Sequence, residues 1–494
     1  MADDSIYQIQ QQVMELENKM LREVEKRQMI IKELPEIQRL AAQNLVHYLT
    51  IRNEDIRQLQ DQLHVNGLSA LTNAESHIHS QMQSIRQRLN GNDTLKETEQ
   101  CTYEFSRKDQ QQKSKILFGE KMDDAIPYIM VTFDSPFADN YGLIKNLLLN
   151  GMNVARINCA HDDEATWARM IHHVKRAVAH SRLPCKIFMD LAGPKIRTQL
   201  LAKGHGKKKV KIKEGKLVWL SESKKDFKKD DIVISPGMTG IIPHLKKGQR
   251  VLIDDGVIKG IIEKTKKDRA ALRIVRIGPG KRVIKNHKGI NFPDTELIIE
   301  PLTVFDKGCL PFICENADIV GYSFVRNPAD LATLQGILKQ YTEQPPHIII
   351  KIETQEAVKN LPALLLQGMH QEAFGVMIAR GDLAVEIGFE RMAEIQEEIL
   401  WICEAAHVPV VWATQVLETL NKSGVATRAE ITDVTYAAMA ECVMINKGDH
   451  TIEVIETLKD ILQRTGRHHI KKRFTFRPLS IASRFINGEN ISPI

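Results

Sequence analysis

No stretch of this 494-residue chain approaches the roughly 20 consecutive apolar residues that a membrane helix requires, which argues against a helical span. The opening MADDSIYQIQQQ has neither a basic leader nor the apolar core of a secretory signal, so a cytoplasmic location is expected. Cysteine is sparse. The seven, at 101, 159, 185, 309, 314, 403 and 442, form no CxxC pair or framework spacing, which argues against zinc or disulfide scaffolds and for reduced, mostly buried thiols. Excess charge is small as well: the formal net charge is +6, much of it between Lys203 and Lys229. The stretch LAKGHGKKKVKIKEGK has no aromatic residues interleaved for base stacking, so it reads as solvated surface and nucleic acid is not an expected partner.

What is present points to a large soluble protein, 43% apolar and 26% charged, long enough for several cores. Residues 1–115 hold one proline, Pro35, and are rich in Gln, Glu, Arg and Leu with apolar positions at helical spacing, as in Val46, Leu49, Ile56, Leu59 and Leu63. They read as an all-α extension broken near Asn66-Gly67 and again at Asn90-Gly91-Asn92-Asp93. From about residue 125 short apolar, β-branched runs alternate with amphipathic stretches: 127–133, 152–157, 185–190, 318–324, 347–353, 374–380, 408–414 and 441–446. Eight such strands suit a closed (β/α)₈ TIM-type barrel, in parts 120–200 and 288–475, although an open doubly wound sheet has the same texture. Between the third and fourth runs, residues 201–287 read as an inserted small all-β lid, and 476–494 as a C-terminal tail.

Barrel enzymes carry their chemistry at the C-terminal ends of the strands, and here those ends are charged. Lys351 and Glu353, two apart on one strand, share a face. The next run ends in Arg380-Gly381-Asp382, adding a second carboxylate and a glycine where a ligand can approach backbone N–H groups. Two carboxylates, completed by water and substrate oxygens, suit Mg²⁺ or Mn²⁺, and Lys351 beside them suits a migrating phosphoryl group. Arg156 and Asn158, Asp190 and Arg197, and Thr414-Gln415 stand at three more strand ends. A purely structural ion-pair network accounts for the same spacing, and Asp190 alone suits a helix cap.

The segments MNVARINCAH, MDLAGPKIRTQ, IDDGVI, KGINFP, YSFVR, IIIKIETQEAV, VMIARGDLAVEI and WATQVLETL with ATRAEITDV, collinear from about 125 to 470, resemble the pyruvate kinase family. The resemblance implies phosphoryl transfer from phosphoenolpyruvate to ADP, giving pyruvate and ATP. It implies Glu353 and Asp382 as divalent-metal ligands, Lys351 on the migrating phosphoryl group, Arg156 and Arg197 on the substrate, and Thr414 on the face where the enolate is protonated. Gly381 and Asp382 would offer N–H groups to the substrate carboxylate, and Asn158, His161 and Lys288 would lie on the nucleotide side.

The departures from the family pattern carry expectations of their own. Ala160 and Leu191 replace a serine and a threonine of the expected potassium site, and Lys195 stands where many relatives have glutamate. K⁺ is therefore expected to be dispensable, with Lys195 paired to Asp190 as an internal cation. The first-strand turn reads FDSPFA, Ala384 replaces a glycine, and MINKGDHTIE shortens the loop after strand eight. These changes suit a second reading, a weak or inactive regulatory or scaffold relative. The family's usual C-terminal domain is not expected after residue 470, and the N-terminal helices are expected to serve assembly, including a homo-oligomer.

Overall fold

The computed structural model describes residues 2–91, 100–121, 123–202, 208–280, 282–297 and 299–466, with the pairs 469–470 and 473–474. The expected break at Asn92-Asp93, Lys203 and Lys207 of the basic stretch, and the tail 476–494 lie outside the described residues.

Eight parallel strands close into a barrel: β1 (Tyr128–Phe133), β2 (Val154–Asn158), β3 (Lys186–Asp190), β4 (Ile319–Tyr322), β5 (His347–Ile352), β6 (Gly375–Ala379), β7 (Val410–Ala413) and β8 (Cys442–Ile445). Each pairs with its sequence neighbours, and β8 returns to β1. Helices on the outside connect them, so every strand is buried on both faces and reads as a continuous apolar run rather than an alternating one. Inward positions stack in layers: Tyr128, Met130, Val154, Phe188, Ile319, Ile349, Met377, Val411, Cys442 and Met444 form one cluster. The register sets Thr132 beside Arg156, Asn158 beside Asp190, and Asp190 beside Gly321. Lys186 and His347 open β3 and β5 at the N-terminal end, and the other polar side chains gather at the C-terminal end. A Cβ on Gly321 would lie 2.5 Å from Asp190 Oδ1 and 2.6 Å from Phe188 Cζ, so only glycine leaves room for that carboxylate.

The N-terminal helices, of which the longest are Ala2–Lys26, Glu36–Arg52 and Tyr103–Phe118, pack against the barrel. Val46, Leu59 and Leu63 are buried as the periodicity requires, but Asn53–Ile56 interrupts the stripe between two helices. The helix Tyr103–Phe118 runs past residue 115, and its Leu117 and Phe118 join the inward cluster of the barrel, closing its N-terminal end. Asp109 on this helix takes Lys113 Nζ at 2.8 Å and His407 Nδ1 at 2.8 Å, and His407 Nε2 lies 2.7 Å from Ser76 O. Asn44 Nδ2 donates to Ala405 O at 2.8 Å. The extension is therefore built into the barrel through buried polar links.

The insertion between β3 and the helix Val304–Asn316 has its own core of Leu220, Ile234, Ile253, Ile262, Leu272 and their neighbours. Its seven-stranded sheet runs from Ile290–Asn291 through Arg250–Ile253, Ile258–Lys266, Arg269–Ile277, Leu217–Ser221 and Val233–Ser235 to Gln199–Leu200. A separate ribbon pairs Lys209–Lys211 with Val283–Lys285.

Candidate active site

At the C-terminal mouth, Asp190 is fully buried at the end of β3 and gathers the cations around it. Arg156 of β2 donates Nε and Nη2 to Asp190 Oδ2 at 3.0 and 2.5 Å, and Nη1 to Thr132 Oγ1 at 2.9 Å. Lys351 of β5 places Nζ 3.3 Å from Asp190 Oδ2 and 3.0 Å from Glu353 Oε1, and donates to Ser323 Oγ at 2.8 Å. Ser323 in turn donates to Leu191 O at 2.6 Å. Glu353 Oε2 accepts the Phe324 N–H at 2.7 Å, and Phe324 adopts a left-handed φ of 57° to present it. Left-handed bulky residues cost roughly 1–3 kcal/mol each and collect where a site demands them.

Burial pushes the Asp190 carboxyl up, but Lys351 and Arg156 outweigh burial and hold it below the ordinary carboxylate value. Burial pulls the Lys351 ammonium down, yet Asp190 and Glu353 raise it above its usual value. For Glu353 burial raises the carboxyl, Lys351 opposes, and Asp382 and Asp190 add to the rise. An obligate ammonium thus sits among carboxylates, one of which lacks full compensation.

The second half of the site comes from β6 and β7. The helix Arg380–Ile387 starts directly at the end of β6 with no side-chain cap, so Gly381 and Asp382 occupy its first turn. The Gly381 N–H donates to Thr414 Oγ1 at 3.0 Å. Thr414 has φ 67°, Gln415 57° and Leu417 48°, an unusual left-handed run for a β-branched residue and its neighbours. Arg380 holds it: Nε donates to Ala413 O at 2.9 Å, Nη2 to Thr414 O at 2.6 Å and Nη1 to Asp433 Oδ1 at 2.5 Å, while its guanidinium lies 4.6 Å from the centre of the Trp412 ring.

Lys195 does not form the expected pair with Asp190, whose oxygens carry Arg156 and Lys351; its Nζ lies 2.6 Å from Asp382 Oδ1. The structure therefore brings together Arg156, Asp190, Lys351 and Glu353 directly, Gly381 with Thr414 at the ends of the adjoining β6 and β7, and Lys195, from the turn after β3, with Asp382 across the mouth. The remaining candidates sit at the rim. Asn158 Oδ1 accepts the Ala160 N–H, His161 is exposed, Arg197 is exposed and donates to His287 O, and Lys288 Nζ pairs with Asp254 at 2.8 Å. Thr132, Ser323 and Arg380 were not among the expected site residues, although each stands at a strand end where the same reasoning looks for chemistry.

Among the described residues no group of three His, Cys, Asp or Glu side chains is placed to hold a metal. Asp190 is taken up by Arg156 and Lys351, which leaves Glu353 and Asp382 as the carboxylates of this mouth with a single cation beside each. That donor set fits a hard ion that takes its other ligands from water and substrate oxygens.

The family model for the pyruvate kinase barrel domain matches residues 128–453. The chain belongs to the pyruvate kinase family. It is 31% identical over 334 residues to the pyruvate kinase of Thermotoga maritima, covering 66% of this chain and 68% of that one. It is 31% identical over 337 residues to that of Geobacillus stearothermophilus, 67% of this chain and 55% of the relative. With that of Clostridium perfringens it shares 30% over 342 residues, 68% and 69% respectively. The chain thus spans between 55% and 69% of these pyruvate kinases, and the family model begins at residue 128, past the N-terminal helices. Among the described residues no helix is long and apolar enough to cross a membrane.

Proposed function

We propose that this chain transfers the phosphoryl group of phosphoenolpyruvate to ADP, with Mg²⁺ or Mn²⁺ held by Glu353 and Asp382 and without dependence on K⁺. The observation that carries this is Lys351, a buried ammonium aimed into the mouth of the barrel and fixed by Asp190, Glu353 and Ser323. In the reaction the bond between the enol oxygen and phosphorus breaks, a bond from phosphorus to a terminal oxygen of ADP forms, and the enolate takes a proton at its methylene carbon. The divalent ion, when bound, would neutralise charge on the phosphoryl oxygens. Lys351 and Arg156 supply fixed positive charge for the group in transit, already oriented by their carboxylates so that little reorganisation is needed. The Asp382 N–H, in the first turn of its helix, faces the pole that favours a carboxylate. Thr414 accepts from Gly381, which leaves its O–H as a donor on the side of the enolate. Lys195 keeps a positive charge beside Asp382 where the family pattern has potassium ligands.

A cytoplasmic setting goes with this reading, because the seven cysteines are free thiols. Self-association through the N-terminal helices belongs to it too, since Tyr7, Met14 and Leu21 recur exposed at seven-residue intervals. The decisive measurement is pyruvate formation from phosphoenolpyruvate and ADP with Mg²⁺ or Mn²⁺, with and without K⁺, beside Lys351→Met. Turnover indifferent to K⁺ and lowered at least about 10²-fold by Lys351→Met is expected. Metal-dependent binding of phosphoenolpyruvate with no turnover would replace it with the regulatory reading.

A further inference from the structure

The lid and the barrel are joined by two segments that pair with each other. Arg197 bridges Gly289, the Thr198 N–H donates to Lys288 O and the His287 N–H to Thr198 O, each at 2.7 Å, and the Ile290 N–H donates to Ile196 O at 3.1 Å. A short ribbon of this kind absorbs bending at a few residues, so it ties the lid on without fixing its angle over the mouth. That angle is set by contacts beyond the hinge, and the helix Arg380–Ile387 with the turn after it supplies two of them.

The first comes from the lid's return strand, Ile290–Asn291. Ile290 and Phe292 are buried in the lid core, so by strand alternation Asn291 points away from it, and its Nδ2 donates to Glu386 Oε1 at 2.8 Å. With both neighbours packed inside the lid, Asn291 moves with it. Glu386 belongs to the barrel, one helical turn past Asp382 and on the same face. The second contact is apolar. A Cβ on Gly256 of the lid would stand 3.6 Å from Phe389 Cε2 and 3.9 Å from both Val385 methyls, an ordinary van der Waals approach that favours no direction. Of the two, the hydrogen bond is the one that specifies an orientation.

Glu386 is costly where it stands. Burial raises its carboxyl above the ordinary value, the Asn291 hydrogen bond opposes, Asp382 and Asp294 add to the rise, and Arg250 works against it. Arg250 is itself engaged by Asp294, Nη2 to Oδ1 at 2.6 Å. Glu386 is also the last residue but one of its helix, at the pole that disfavours a negative charge. Among the described residues its carboxylate accepts one hydrogen bond, and the donor is on the lid.

We infer that Asn291 and Glu386 are positioning residues: their hydrogen bond ties the lid's return strand to the helix that presents Gly381 and Asp382, and so sets the angle at which the lid stands over the mouth. Lys288, three residues before Asn291, comes with that strand, whereas Arg156 and Lys351 are fixed by Asp190 inside the barrel. Losing the tie therefore disturbs the nucleotide side and leaves the phosphoenolpyruvate side in place. This consequence rests on the phosphoryl-transfer reading; the tie itself does not.

Asn291→Leu removes the donor at similar volume, and Asn291→Asp/Glu386→Gln restores one donor and one acceptor in the reverse sense. In the pyruvate assay Asn291→Leu is expected to raise KM for ADP at least about fivefold, with KM for phosphoenolpyruvate within about twofold of the parent, and the double variant to recover. Hydrogen exchange read by mass spectrometry needs no turnover. Residues 254–257 of the lid and 383–389 of the barrel are expected to exchange at least about threefold faster in Asn291→Leu and at the parent rate in the double variant. Unchanged exchange in Asn291→Leu, or a double variant as perturbed as the single, overturns the inference. So does an equal rise in both KM values, which marks a general loss of fold. A parent chain without turnover whose variants exchange as stated supports the tie and overturns the phosphoryl-transfer reading instead.

Discussion

Replacing Lys195 by glutamine tests the internal-cation idea most sharply. The Lys195 ammonium and the Asp382 carboxylate lie 2.6 Å apart with side chains 24% and 21% exposed. That pair already exists without substrate, so what counts in kcat/KM is the field of the ammonium on charge developing at the substrate, and its removal is expected to lower kcat/KM at least about tenfold at 25 °C. Pyruvate release coupled to lactate dehydrogenase, in potassium and in tetramethylammonium buffers of equal ionic strength, reads both rate and ion dependence. The parent chain is expected to run equally in the two buffers. Lys195→Gln is expected to fall and to be rescued only weakly by K⁺, because Ala160 and Leu191 supply no side-chain oxygen and Leu191 is buried. Several-fold stimulation of the parent by K⁺, or full activity in Lys195→Gln, would refute the reasoning.

Three other perturbations follow from the geometry. Gly321→Ala drives a Cβ against Asp190 Oδ1 and the Phe188 ring and is expected to cost about 2 kcal/mol or more in urea unfolding together with most activity; an unchanged midpoint would show that the barrel relaxes there. Asp109→Ala leaves the buried Lys113 and His407 without their shared carboxylate, a loss of about 3–5 kcal/mol seen as a lowered thermal midpoint with kcat per folded molecule preserved. Arg380→Lys keeps the charge but cannot hold Ala413 O, Thr414 O and Asp433 together, so kcat is expected to drop at least tenfold with little change in KM for ADP.

The barrel was legible because strands buried on both faces must be apolar throughout, and eight such runs separated by helical stretches leave few other architectures. The lid showed as alternating short segments, which is the mark of a sheet packed on one face. The junction of extension and barrel was not legible. The helical extension was expected to end at residue 115, and nothing local says that the helix runs on to Phe118 and that Leu117 and Phe118 plug a barrel whose strands begin ten residues later. Nor does spacing along the chain reveal that Asp109 meets a histidine 298 positions away.

The site shows the same division between what lies along one strand and what lies across several. Lys351 and Glu353 share a face by the two-residue repeat alone, and the structure places their charged atoms 3.0 Å apart. The partner of Lys195 depends instead on which carboxylate has spare charge. Asp190, adjacent in sequence, is the obvious choice, but it stands between Arg156 and Lys351 and accepts from both, so a third cation there would repel more than it gained. Asp382 starts a helix 187 residues later, has no side-chain cap to bind, and meets the lid-side turn that carries Lys195. The positive charge that sequence assigns to the β3 end is thereby delivered to the Asp382 side of the mouth, which is why removing it should be felt in turnover rather than in the stability of the Arg156–Asp190 pair.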